Sequence, residues 1–190
     1  MHSPGIALIA IWLFWIISWL VAARWSSAPL RTENRQEAWL YRLLFGVGAL
    51  VLAIPARLDM NLHLWHVGYA GAWLMVLLAA IGIAFCWWAR LHLGTLWSAS
   101  VTIKPDHRIV DTGPYGLVRH PIYTGLLLAI LATAVAKGTL IGVVGAGCVL
   151  IGIVLKAKLE ESFLRQDLGP AAYDAYARRV PMLVPLWPIR

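Results

Sequence analysis

Apolar runs fill most of this 190-residue chain, and they constrain its fold more than any other feature. Five can be marked: 6–23, 40–56, 67–88, 122–136 and 139–155. Runs of this kind read as membrane-spanning helices, although the last two are short against the roughly 20 residues a vertical span needs. Only Lys137 and Gly138 separate those two, so they should form a tight helical hairpin. Only 13% of residues are charged, about half the share of a soluble domain. The expected fold is therefore an all-α integral membrane protein of about five spans, one domain over residues 1–190, with a cytoplasmic loop and a C-terminal amphipathic helical tail.

The positive residues orient it. Arg24, Arg31 and Arg35 lie between the first two runs, with Arg42 at the near end of the second; Arg90, Lys104, Arg108 and Arg119 lie between the third and fourth. Lys156, Lys158, Arg165, Arg178, Arg179 and Arg190 follow the fifth, leaving Arg57 and Lys137 for the other side. That bias places the N-terminus outside and the C-terminus in the cytoplasm, at the plasma or inner membrane of a bacterial host. The first run lacks a basic leader region, so it reads as a retained helix rather than a cleaved signal. The net charge of +7 reports topology and anionic lipid; no polar segment interleaves bases with aromatics as a nucleic-acid surface would.

Two cytoplasmic segments, 90–121 and 156–190, flank the hairpin, which brings their ends together. The first closes on Gly113-Pro114-Tyr115-Gly116-Leu117-Val118-Arg119-His120-Pro121-Ile122-Tyr123, a polar and aromatic island at the membrane boundary. Pro114 and Pro121 stiffen the backbone around Tyr115 and His120, which suits a preorganised binding site. Upstream, Val101-Thr102-Ile103-Lys104 alternates like a strand, and Asp111-Thr112-Gly113 has turn chemistry. The second segment starts with Glu160-Glu161. Phe163, Leu164, Leu168, Tyr173 and Tyr176 then recur at helical spacing, broken by Gly169-Pro170. They predict two short amphipathic helices on the membrane surface. A carboxylate pair at the end of a span needs a partner, and a ligand's ammonium group is a natural one.

Several readings compete. Arg119 and His120 can be interfacial snorkellers, Glu160-Glu161 a solvated helix face, and Tyr173 and Tyr176 belt residues. His2, His63, His66 and His92 have no metal-ligand partners by spacing. Cys86 and Cys148 sit inside apolar runs as small hydrophobes. The glycines of the fifth run, Gly142, Gly145, Gly147 and Gly152, allow close helix approach.

Read together, the two segments resemble the isoprenylcysteine carboxyl methyltransferase family in its wide sense, which also touches phospholipid N-methyltransferases. The matching residues are Leu93-Gly94 with Trp97, His107-Arg108-Ile109-Val110, Gly113-Pro114-Tyr115 and Arg119-His120-Pro121-Ile122-Tyr123-Thr124-Gly125. The pattern resumes at Glu160-Glu161 with Leu164, then Leu168-Gly169, Tyr173, Tyr176 and Arg179-Val180-Pro181. The resemblance implies a membrane methyltransferase using S-adenosylmethionine. By similarity, Val101, His107, Arg108, Ile109 and Val110 would line the cofactor. Tyr115, His120, Pro121, Ile122 and Tyr123 would hold its adenosine, and Glu160 its ammonium group. Lys156 stands where enzymes acting on prenylated protein often place an arginine for the substrate carboxylate, and it lacks arginine's two-pronged geometry.

The implied acceptor is lipophilic and enters sideways from the bilayer. An isoprenylcysteine-like carboxylate is the first choice, and it needs no general base. An amine headgroup, as on a phospholipid, is the second, with Glu161 or a neutral histidine taking its proton. A membrane reductase or a non-catalytic binding protein are the remaining alternatives.

Overall fold

The structure is a computed structural model that describes residues 3–54, 63–103 and 108–185. Among the described residues, seven α-helices and one pair of two-residue strands form in the order α1 (Pro4–Ala22), β1 (Arg31–Thr32), α2 (Arg35–Ala53), α3 (Gly68–Leu93), β2 (Thr102–Ile103), α4 (Pro114–Leu117), α5 (Pro121–Lys137), α6 (Leu140–Leu168) and α7 (Pro170–Arg179). The chain is an all-α membrane protein. With the 3-10 turns that follow them, α1 and α3 are long and apolar enough to cross a bilayer, as is α6; α5 is apolar but shorter.

Helix boundaries depart from the apolar runs where polar groups cap or extend them. α2 begins at Arg35 rather than Leu40 because Asn34 and Glu37 cap each other. The Glu37 N–H donates to Asn34 Oδ1 at 2.8 Å, and the Asn34 N–H donates to Glu37 Oε2 at 2.9 Å, satisfying two otherwise orphaned groups. The end expected for the second run, Ala56, lies outside the described residues. α3 continues past Trp88 to Leu93, so Arg90 is a helix residue and not a loop residue. It is fully buried, donates to the Ala22 and Gly94 carbonyls at 2.7 and 2.6 Å, and stacks over Trp97 and Trp25. The indole faces replace the water its guanidinium has lost.

The tail also differs from expectation. α6 runs unbroken through Glu160 and Glu161 to Leu168, so the first of the two expected surface helices is the end of a span. Gly169, at φ 88°, and Pro170 then start α7, which buries Tyr173 and Tyr176 against the protein. The strand-like alternation near Thr102 is real: β2 pairs antiparallel with β1, Arg31 opposite Ile103.

The helices pack in two principal pairs, α3 with α5 and α2 with α6. Each pair meets at facing glycines. A Cβ on Gly82 or Gly125 would run into the other's carbonyl oxygen, and one on Gly48 would lie 2.8 Å from the Gly145 carbonyl. Lipid tails are as apolar as leucine, so close backbone approach is what holds such helices together. The α5–α6 connection is as tight as expected, with Gly138 left-handed at φ 64° and Thr139 capping α6. Yet each arm packs mainly on another helix, and the hairpin joins the two pairs.

Candidate active site

Helical periodicity sets the site. Lys156 and Glu160 are four residues apart on α6, so they share a face, and Lys156 Nζ lies 3.8 Å from Glu160 Oε1. Glu161, next along, turns toward Arg119. Pro121 starts α5, which leaves Arg119 and His120 outside the helix just before it. Their backbone N–H groups donate to the Pro181 and Met182 carbonyls at 2.8 and 3.1 Å, and Thr124 Oγ1 donates to the Leu183 carbonyl at 2.6 Å. The C-terminal strand of chain thus straps the motif in place. Gly113, at φ 57°, makes the preceding turn; a Cβ there would strike the His92 ring, which stacks on Tyr115 and bonds Thr112 at 2.9 Å.

The result is a row of alternating charge. Arg119 Nε donates to Glu161 Oε1 at 2.8 Å, and His120 Nε2 lies 3.0 Å from the same oxygen. His120 Nδ1 lies 3.4 Å from Glu160 Oε2, and the Tyr123 hydroxyl donates to Glu160 Oε1 at 2.5 Å. Burial opposes a charged imidazole, but the hydrogen bonds and charges of Glu160 and Glu161 outweigh it and lift the His120 pKa above its usual 6.5. In that state both ring nitrogens donate, one to each carboxylate. Burial also pushes up the Tyr115, Tyr173 and Tyr176 phenols, with nearby carboxylates adding to the effect, so these rings stay neutral.

One cavity of about 1080 Å³ opens beside this row. Val101, Arg108, Ile109, Val110, Tyr115, His120, Pro121, Ile122, Tyr123, Lys156 and Glu160 all line it. His107 lies outside the described residues. Glu161 does not line the cavity: its helical position turns it behind the wall, where Arg119 and His120 occupy it. From there, the expected role of taking a substrate proton would have to run through His120. Tyr173 and Tyr176, for which a belt role was one competing reading, line the cavity, and the Tyr176 hydroxyl donates to the Tyr115 carbonyl at 2.8 Å. Their spacing of three on a polar helix was the available signal. The remainder of the cavity is mostly apolar, walled by Trp12 and Trp19 of α1, Phe45 and Leu52 of α2, and Leu126 and Ile130 of α5, with Thr133 and Lys137 among the exceptions. Among the described residues, no cluster of His, Cys, Asp or Glu could hold a metal ion.

Residues 74–166 match the isoprenylcysteine carboxyl methyltransferase family. The chain is also 30% identical over 161 residues to the cobalt-zinc-cadmium resistance protein CzcN of Cupriavidus metallidurans, spanning 84% of this chain and 71% of that one. This chain belongs to the isoprenylcysteine carboxyl methyltransferase family. Two further relatives carry enzyme names. One is the methanethiol S-methyltransferase of a Pseudomonas species, 37% identical over 91 residues, which are 47% of this chain and 32% of that one. The other is the protein-S-isoprenylcysteine O-methyltransferase of Schizosaccharomyces pombe, 32% identical over 108 residues, which are 53% and 43%. This family member thus spans less than half the length of those two. The matched segment runs from α3 to near the end of α6 and holds the Arg119, His120, Glu160 and Glu161 row; α7 and the strap lie beyond it.

Proposed function

We propose that this protein transfers a methyl group from S-adenosylmethionine to a lipophilic acceptor bearing a carboxylate, an isoprenylcysteine-like molecule being the best fit. The observation that carries the reading is that one cavity joins the polar, aromatic residues Tyr115, His120, Tyr123 and Glu160 to the mostly apolar faces of the membrane helices. Its size accommodates a drug-sized ligand with room to spare. The donor set suits this cofactor: a half-buried carboxylate for an ammonium group, and Tyr115, Tyr123, Tyr173 and Tyr176 for an aromatic base.

When bound, the cofactor supplies an electrophilic methyl on a sulfonium. The protein's residues then have to place the acceptor in line with that methyl and keep water away. In this reading Glu160 anchors the ammonium, while Val101, Arg108, Ile109, Val110, His120, Pro121 and Ile122 shape the remainder of the cofactor site; His107 belongs to the same proposal by its place in the motif. Lys156 directs its ammonium at the acceptor carboxylate. Glu161 orients His120, and through it Glu160. Among the described residues the cavity wall holds Arg108, Arg119, Lys137 and Lys156 with one carboxylate, Glu160; Arg119 is paired with Glu161, and the remaining cations still outnumber the carboxylate, a balance that favours an anionic acceptor over an amine.

We further assign five spans, α1, α2, α3, α5 and α6, with the N-terminus outside and the site at the cytoplasmic face. The basic residues support this, and taking buried Arg90 out of the count leaves the bias intact. At 1.5 Å per residue α5 reaches roughly 25 Å, enough for the hydrocarbon layer if the bilayer thins slightly.

Calorimetry with S-adenosylhomocysteine tests the cofactor assignment. Glu160→Ala and His120→Ala should each weaken binding by about a hundredfold; normal binding by both variants overturns the site. Labelled cofactor offered with prenylcysteines and phospholipids tests the acceptor. Base-labile label means an ester, whereas base-stable label means an amine or thioether and removes the carboxylate reading.

A further inference from the structure

Glu33 sits between β1 and α2, outside the segment that matches the family. Its side chain is 0% exposed. Oε1 accepts from the Tyr41 hydroxyl at 2.6 Å and from Arg42 Nη2 at 2.7 Å. Oε2 has no hydrogen-bond partner among the described residues. A buried, half-satisfied carboxylate costs stability, so its location calls for a reason.

Three connections run from Glu33 to the wall of the cavity. Its own N–H donates to the Val101 carbonyl at 2.9 Å. Arg42 reaches on to Ser100 Oγ at 3.2 Å. The Tyr41 ring lies against the Lys156 ammonium, with Nζ 5.6 Å from the ring centroid, and that same Nζ donates to the Ala99 carbonyl at 2.6 Å. Ala99, Ser100, Val101 and Lys156 all line the cavity. The guanidinium of Arg31, 4.5 Å over the Phe163 ring, clamps β1 onto α6.

We propose that Glu33 is a positioning residue for the acceptor end of the site, holding the Lys156 ammonium through Tyr41 and the 99–101 rim. The proposal rests on the carboxylate-acceptor reading above. A lysine is a point charge on a flexible stem, and an anion is met productively only if that charge is fixed. Glu33 does this in two ways. Accepting the hydrogen bond of the Tyr41 hydroxyl enriches the ring face on which the ammonium rests. Binding Arg42 and Val101 keeps the Ala99 carbonyl in place. Glu160 reaches the same ammonium from α6, so a carboxylate from each half of the chain governs Lys156.

The test uses Glu33→Gln, with Tyr41→Phe as the second variant should the first fail to fold. With N-acetyl farnesylcysteine as acceptor, KM should rise about tenfold while kcat and S-adenosylhomocysteine affinity stay within about twofold. In a Lys156→Met background the Glu33→Gln change should add nothing, because the two act as one unit. Acylation of the Lys156 amine in ligand-free protein, read by peptide mass spectrometry, should speed up severalfold in either variant. A parallel weakening of both ligands, additive effects with Lys156→Met, or unchanged Lys156 reactivity overturns the proposal. Failure of the wild-type chain to bind S-adenosylhomocysteine would instead sink the methyltransferase reading, and the ligand-free labelling would still decide the role of Glu33.

Discussion

α1 and α6 are both apolar helices long enough to span a bilayer, yet they are held by different means. Only Leu8 and Ala22 of α1 are buried. It is fastened at points: the Trp12 indole to Thr133 Oγ1 at 3.0 Å, Arg90 to the Ala22 carbonyl, and Ser26 Oγ to the Trp97 carbonyl at 2.6 Å. α6 is buried along its length, from Gly142 to Phe163, by backbone contact with α2 and then by ion pairs. In lipid, apolar surface alone gives a helix no reason to associate. The small residues of α6 create close packing; α1, whose inner face is Leu, Ile and Trp, leaves an apolar cavity wall.

Substitutions at glycine should separate the two most sharply. Gly145→Leu drives a side chain against Leu52 and the Gly48 carbonyl, where a Cβ already comes within 3.0 Å of the backbone oxygen. It should cost about 3 kcal/mol or prevent folding, seen as loss of a monodisperse species in detergent. Gly5→Leu on α1, where a Cβ meets only Ser3 Oγ at 3.7 Å, should change nothing measurable. Equal effects would erase the contrast.

Arg90→Met removes the principal fastening of α1. It should cost about 2 kcal/mol and speed hydrogen exchange in α1 peptides while leaving those of α6 unchanged.

The ion pairs at the end of α6 should give a pH signature that α1 lacks. His120 faces Glu160, Glu161, Tyr123 and Arg119, and its pKa is raised from 6.5. A raised folded-state pKa means that its contribution to stability is fully present below pH 6.5 and is lost as the pH rises through the folded value. Thermal midpoints should therefore fall over that window, and His120→Gln should flatten the profile. A wild-type midpoint that rises there would contradict a charged imidazole.

Thr133→Val tests the weakest fastening. Losing the acceptor for the Trp12 indole should cost about 1 kcal/mol, measured by denaturation, with the α5–α3 contact intact.

The motif residues were legible because their chemistry is local. Pro121 next to His120, two carboxylates at the end of a span, and Gly113 before Pro114 announce a stiff polar corner wherever they occur. The break at Gly169-Pro170 was equally plain. Helix ends were less so: an apolar run marks where lipid is, whereas a helix continues for as long as its backbone is satisfied. Hence α3 carries Arg90 inward and α6 carries Glu160 beyond the expected span end. The neighbours of Glu161 were not legible because adjacent residues on a helix face different directions, and only the packing says which one meets the cavity.

What the chain determined by itself is the membrane setting, the approximate helices and the identity of the polar corner, since hydropathy and backbone stereochemistry act over a few residues. Which helices pair was decided by the tertiary structure alone. So were the strap of 181–183 across Arg119 to Thr124 and the reach of Glu33 toward Lys156. Those depend on contacts between segments more than fifty residues apart, and no local pattern encodes a partner at that distance.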